Sequence, residues 1–191
     1  MLLAAYPDSA RAHQSMAENL LVLRRTDEAQ KEYEQALKLR PDTPHLHLEL
    51  GQVFALASRW PEAEEQFRAE TKLQPGNAEA AYRLGDALLR QGKAREAQSA
   101  LEHSNKLQPQ MPETLYALGK AESLDGDATA AENSWLELLS IEKEGELAAQ
   151  THFALAGLYR KQGKTADAER EMKEFQKLRA TNASPSTNPP Q

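Results

Sequence analysis

The sequence predicts an all-α protein, a solenoid of about five antiparallel helix pairs. Three series in one register predict it. Gly51, Gly85 and Gly119 recur at i, i+34 and i+68, and Pro7, Pro41, Pro75 and Pro109 keep the same step, as do Ala29, Ala63, Ala97 and Ala131. Such a period marks a two-helix unit that buries its apolar stripe only by stacking on neighbours. Composition agrees: of 191 residues 40% are hydrophobic but only 6% aromatic. That suits a thin core of Ala and Leu better than one compact core. The next Ala in register is Ala168, at i+37 from Ala131, so three extra residues fall within 141–150.

The elements follow from local signals. In the third unit a first helix is predicted over 78–91, closed by Gly92, since glycine supplies the left-handed residue that ends a helix. Gly126 and Gly163 match it, whereas Arg24 and Ser58 replace it in the first two units. A second helix follows, and the Pro near each unit's end stops it. Pro44, Pro61 and Pro112 read as first-turn residues, where a missing N–H costs nothing. Residues 2–8, "LLAAYPD", align with "ALKLRPD" at 36–42. The chain is therefore expected to begin inside a second helix, with a helical stub over 2–6, as a fragment of a longer protein. The expected divisions are the end of a truncated repeat at 1–9 and repeats at 10–43, 44–77 and 78–111. A fourth repeat with a longer loop takes 112–148, a fifth with the C-terminal cap takes 149–180, and a disordered, Pro-rich tail takes 181–191. The last second helix, predicted over 167–179, is highly charged, as the outer face of a terminal repeat should be.

These residues resemble the tetratricopeptide repeat family. Its pattern appears as Leu50-Gly51, Phe54, Ala63, Phe67 and Pro75, and again as Leu84-Gly85, Leu88, Ala97, Leu101 and Pro109. The first unit has Met16-Ala17, Leu20, Ala29, Tyr33, Ala36 and Pro41. The fourth has Leu118-Gly119, Ala131 and Trp135, and the fifth Leu155-Ala156, Tyr159, Ala168 and Met172. Glu70 and Ser104 depart from the usual second Ala, Glu122 from a large packing residue, and Lys143 from the terminal Pro. The fourth unit is thus the weakest match, and its junction with the fifth is expected to be more open. The resemblance implies a right-handed superhelix whose first helices line a concave groove.

Other functional classes find little support. A net charge of −6 argues against nucleic-acid binding, which needs clustered Lys and Arg. Without Cys there is no disulfide framework or thiolate zinc site. No apolar run approaches the ~18–20 residues that span a bilayer, and "MLLAAYPD" lacks the basic and long apolar regions of a signal peptide. His13, His47 and His152 occupy one equivalent position in three repeats, which reads as packing rather than metal ligation. "GLYRKQGKT" has five residues where a phosphate-binding loop has four, and no preceding strand. The acidic runs at 62–70 and 142–146 lack calcium-loop spacing. No nucleophile and base can be paired, so no enzyme activity and no cofactor or metal is expected.

What remains is a second stripe on the first helices. Tyr82, Asp86 and Leu89 lie at i, i+4 and i+7 beside the packing positions of their helix. The same register holds Gln14, Glu18 and Leu21, then Leu48, Gln52 and Ala55, then Tyr116, Lys120 and Ser123, and last Phe153, Gly157 and Arg160. By the family's geometry this stripe lines the groove. Leu48, Tyr82, Tyr116 and Phe153 would form an apolar ladder along it, with Asp86, Lys120 and Arg160 as charged contacts. Glu18, Glu49 and Asp86 mark the early part as acidic, and Lys120, Arg160 and Lys161 the later part as basic. Some family members clamp the acidic C-termini of heat-shock chaperones with Lys and Asn. The matching positions here are Gln14, Glu18, Glu49, Glu79 and Arg83, and only Arg83 fits. The expected function is a protein-interaction scaffold that holds a peptide or partner segment in the groove. The alternative is a structural or oligomerisation segment of a larger enzyme or membrane-attached protein. Self-association through the truncated N-terminal end is also expected, since Leu20, Leu23 and Tyr33 would lose cover from upstream helices. The compartment stays open: cytoplasmic by default, with periplasmic or membrane-tethered placement as alternatives.

Overall fold

The computed structural model describes residues 9–183. They form ten α-helices and, among the described residues, no strand. The helices are α1 (Ala10–Val22), α2 (Thr26–Leu39), α3 (Leu46–Leu56), α4 (Trp60–Leu73), α5 (Ala78–Arg90), α6 (Ala94–Leu107), α7 (Pro112–Asp125), α8 (Ala128–Ile141), α9 (Glu146–Lys161) and α10 (Thr165–Ala183). The chain divides into two compact units, the first ending at Leu107 and the second starting at Gln108. In the first, each helix from α1 to α6 packs on the next. In the second, α7 pairs with α8 and α9 with α10, and α9 also packs on α7 and α8. The stub expected over 2–6 lies outside the described residues.

Three of the helix pairs close over a missing side chain. A Cβ on Gly51 would stand 2.5 Å from Phe67 Cε1, and one on Gly85 would stand 2.5 Å from Leu101 Cγ. One on Gly119 would collide with the Trp135 ring. In every case the partner lies at i+16, in the second helix. Ala17 and Tyr33, both buried, keep that spacing in the first pair. The Trp135 ring is fixed further by its Nε1–H, which donates to the Tyr116 carbonyl at 3.2 Å.

The turns inside the pairs also share one geometry. Gly92, Gly126 and Gly163 have φ of 75°, 95° and 73°. Arg24 and Ser58, despite their side chains, take the same left-handed form at φ 58°. The hydrogen bond that wraps the helix end recurs with them: Arg25 N–H to the Leu20 carbonyl and Arg59 N–H to Phe54, both 2.9 Å, beside Lys93 N–H to Leu88 at 3.0 Å and Lys164 N–H to Tyr159 at 2.9 Å.

The departures from the repeat pattern have structural reasons. Pro61 and Pro112 sit in the first turns of α4 and α7. Pro44 does not: α3 begins only at Leu46, because His45 is left-handed at φ 69°. The buried Glu70 carboxylate holds that turn, accepting from the His45 N–H at 3.0 Å and from the Gln74 amide. Ser104, at the equivalent position of the next repeat, donates its hydroxyl to the Ala78 carbonyl at 2.9 Å. Buried Glu122 accepts from the Ser134 hydroxyl at 2.7 Å. Buried polar groups are tolerable when so partnered.

A second recurring contact ties successive repeats. A side chain on one second helix meets a cation in the next turn: Gln30 with Arg59 at 2.9 Å, Glu64 with Lys93 at 2.7 Å, and Glu132 with Lys164 at 3.7 Å. Glu64 is nearly buried; burial would raise its pKa, but hydrogen bonds from Lys93, Arg68 and Gln91 outweigh it and hold the carboxyl below its ordinary value. The junction between the fourth and fifth repeats, expected to be more open than the others, carries the longest of these ties but is still packed. Tyr159 donates its hydroxyl to Glu132 at 2.8 Å, and Trp135, Leu155, Leu158 and Tyr159 share one core. The Tyr159 hydroxyl is pushed up by burial and by Glu132.

The histidines bond across their own pairs. The Nδ1 of His13, His47 and His152 meets Glu32 at 2.6 Å, Gln66 at 2.8 Å and Glu171 at 2.7 Å, each 19 residues on. In the third pair both equivalents are alanine, Ala81 and Ala100, and they line a hollow of about 380 Å³.

At the chain's start Leu20 and Tyr33 are buried within the first unit's core, contrary to expectation, because the small side chains of Ala17 and Ala29 leave room there for the Tyr33 ring. Leu23 alone of the three is open, 65% exposed. At the other end α9 starts three residues before the fifth repeat's expected boundary. The last helix runs to Ala183, so Thr181 to Ala183 are helical where a disordered tail was expected; the rest of that tail lies outside the described residues.

The packing and the turns can each be tested by one substitution. Gly119→Ala should destabilise the protein by about 1–2 kcal/mol, overpacking against the Trp135 ring outweighing the better helix propensity of Ala. A urea melt that shows unchanged or raised stability would contradict it. Ser58→Gly should stabilise by about 0.5–1 kcal/mol, relieving a left-handed non-glycine residue, and a thermal melt tests the sign.

Candidate functional site

In the first unit, side-chain bridges link the first helices of successive repeats. The Gln14 amide donates to both oxygens of Glu49, at 3.3 and 3.2 Å, joining α1 to α3. The Gln52 amide donates to Glu79 at 3.4 Å, joining α3 to α5. Residues of the expected stripe therefore do share one face here. On it Tyr82 is half-buried, with the Arg83 guanidinium 5.6 Å from its ring centre. Asp86 is half-buried and stands 3.6 Å from Arg90 Nε.

Leu48 is a correction. It is only 6% exposed and belongs to the core cluster of the unit, so it is a packing residue and not an accessible rung. Its helix lies between α2 and α4 and is apolar nearly all round, burying Leu46, Leu48, Leu50, Val53 and Phe54. Leu89 is buried too.

The stripe missed the apolar groups that stand open at the ends of the first helices. Val22 is 83% and Leu56 72% exposed, and Leu124 of the second unit is open as well. All three occupy one position of the repeat, at the ends of α1, α3 and α7, a register visible in the sequence. Arg90 takes that position on α5 and lies over the Trp60 ring, 5.3 Å from its centre. Beside Leu56 a pocket of about 300 Å³ opens, with Ala55, Leu56, Trp60 and Ala87 on its apolar side and Gln52, Arg83 and Asp86 on its polar side.

The electrostatics of the first unit's face centre on Glu49. Its carboxyl is held above the ordinary value, first by burial and then by the charge of Glu18, against hydrogen bonds from Gln14 and Tyr33. The Tyr33 hydroxyl is raised in turn by burial and by both carboxylates.

In the second unit Tyr116 is half-buried with Lys120 Nζ 5.7 Å from its ring centre. Burial raises the Tyr116 hydroxyl. Phe153 is 54% exposed, its ring centre 5.2 Å from that of Phe175 on α10. Arg160 is exposed near the end of α9. Among the described residues no three His, Asp or Glu side chains converge on a metal-sized site. No described helix is long and apolar enough to cross a membrane.

Helix pairs closed by a small residue under a large one, with the first helices of the first unit presenting side chains on one face, define a helical-repeat protein of the scaffold type. A tetratricopeptide-repeat family model matches residues 15–78 and 82–145, more than half of the chain, and the chain belongs to that family. The fold generally mediates protein–protein interaction and is generally non-enzymatic. Among solved structures, the fragment of MamA from residue 41 to its end, from Desulfovibrio magneticus RS-1, is similar. It shares 19% identity, covers 92% of this chain and 97% of its own, and has a TM-score of 0.86. YrrB, described as a TPR protein with an unusual peptide-binding site, shares 16% identity over 92% of this chain and 89% of its own, with a TM-score of 0.81. TTC0263, a thermophilic TPR protein in Thermus thermophilus, shares 20% identity over 89% and 91%, with a TM-score of 0.64. No curated protein matches the chain's sequence.

The raised pKa of Glu49 has a testable consequence. The native state holds this proton more tightly than the unfolded chain, so stability falls as pH rises from below the ordinary 4.5 through the native value. Glu49→Gln should therefore melt higher than the wild type at neutral pH, by on the order of half a kcal/mol. The gap should close when both are melted below the ordinary carboxylate value. A variant that is less stable at pH 7 would show that the charge is needed for folding.

Proposed function

We propose that the chain is a protein-interaction scaffold whose first-helix faces bind a segment of a partner protein. The observation that carries this reading is the exposure of large apolar groups on the first helices. Val22, Leu56, Leu124 and Phe153 stay in water although the same helices bury leucines such as Leu20, Leu50, Leu118 and Leu155. Half-buried Tyr82 and Tyr116, each beside a cation, add rigid anchors of the kind that dominate interfaces. Charged neighbours set orientation: Asp86 and Glu49 in the first unit, Lys120 and Arg160 in the second.

A photo-crosslinking amino acid at Gln52 or Lys120, introduced in the source cells, should capture a partner protein. The same group at Glu65 or Glu137, exposed on the second helices, should not. Tyr82→Ala or Tyr116→Ala should weaken binding of the captured partner by about 2 kcal/mol. Capture from the second-helix positions alone, or unchanged affinity of both folded tyrosine variants, would overturn the reading.

A further inference from the structure

We propose that the pocket beside Leu56 and Trp60 takes a large apolar side chain from a partner segment that also carries Lys or Arg about three residues away. The proposal rests on the reading that the first-helix face binds a partner and names the chemistry of that partner. The pocket's volume, about 300 Å³, lies at the bottom of the range that small-molecule sites span, so it suits one bulky side chain. Its apolar side is made by Ala55, Leu56, Trp60 and Ala87, and its polar rim by Gln52, Asp86 and Arg83, whose guanidinium is paired with Glu79 at 3.4 Å. An apolar group with flanking amides therefore finds both contact and hydrogen-bond partners.

The sign of the partner's charge comes from the carboxylates. On α5, Glu79 and Asp86 are balanced by Arg83 at 3.4 Å and Arg90 at 3.6 Å. Between α1 and α3, Glu18 opposes the charge of Glu49, whose hydrogen-bond partners are neutral, Gln14 and Tyr33; the one charged group favouring it is His45, the smallest of these influences. Arg11 and Arg40 line a hollow with Glu18, yet among the described residues Glu18 forms no ion pair with either. An incoming ammonium or guanidinium would relieve this like-charge pair; an acidic segment would aggravate it. The spacing follows from the helix. Glu49, Gln52 and Leu56 lie at i, i+3 and i+7 on α3, so Glu49 and Leu56 are about 10 Å apart along the axis. An extended chain covers that in about three residues.

The test is a random dodecapeptide display library panned on the full chain and counter-selected on Ala55→Trp, which fills the pocket. Leu56→Ser, at an exposed position, replaces it should Ala55→Trp fail a circular-dichroism melt. Recovered peptides should pair Leu, Phe or Trp with Lys or Arg at the expected distance along the chain. A synthetic peptide of that pattern should bind at least tenfold more weakly to the pocket variant and severalfold more weakly to Glu49→Gln, and its Lys→Glu form should not bind. Acidic or purely apolar recovered peptides would overturn this proposal and leave the scaffold reading intact. So would peptides that bind wild type and both pocket variants equally, since the crosslinking experiment tests partner binding by itself. Sedimentation showing that the chain self-associates, and that Leu56→Ser abolishes it, would make a second copy the occupant and also overturn it.

Discussion

The close approach of a first helix to a second, at one small residue per pair, is the constraint on which the fold depends. Where Gly51, Gly85 and Gly119 sit, the partner's Phe67, Leu101 or Trp135 occupies the space a Cβ would need. The constant i to i+16 spacing of these contacts is set by the turn geometry, and the turn is the same whether a glycine or Ser58 closes it. With that contact made, each pair presents one packed side and one free side, and stacking follows because the packed side cannot be left in water.

Stacking alone would leave the repeats joined by apolar surface of low specificity. The polar ties fix register. Gln30 with Arg59 and Glu64 with Lys93 recur at the same separation of 29 residues. Glu132 with Lys164 is three longer, matching the insertion before α9. Glu70 and Ser104 act similarly, each exchanging a small packing residue for a hydrogen bond to the start of a first helix. Their positions in the repeat are equivalent and their partners lie at neighbouring positions of the repeat, the His45 N–H and the Ala78 carbonyl. A departure from the repeat pattern is thus a local change of bonding within an unchanged frame. The absent histidine pair at Ala81 and Ala100 is the counterexample, since there nothing replaces the lost groups and a hollow remains.

The fold was legible in the sequence because that one contact dictates residue identity at a fixed period. Gly or Ala under a large side chain, a left-handed turn and a helix-stopping Pro are all readable without coordinates. The face was less legible. A helical stripe says which residues point the same way, and not what covers them. Leu48 belongs to the stripe yet is buried, because α3 is enclosed by both neighbours. Leu56 escaped the i, i+4, i+7 pattern by one position, although Val22 stood one full repeat before it and Leu124 two repeats after. The start of α3 was misplaced for a different reason: the left-handed His45 depends on a carboxylate 25 residues away, which no local signal reports.

The exposed face also carries costs that the fold does not require. Leu56 and Val22 lie in water, and burial and Glu18 both oppose ionisation of Glu49. Natural cores readily bury leucine, and the other leucines of α3, Leu46, Leu48 and Leu50, show that this helix does so wherever it can. Residues that weaken the isolated chain gain a physical reason when something else completes their contacts. Burial of Leu56 and neutralisation of the Glu18–Glu49 repulsion would be achieved by the same bound segment, since both lie along one side of α3. That coincidence of an apolar and an electrostatic deficit within about two helical turns is what distinguishes this stretch from the ordinary exposed leucines elsewhere on the surface.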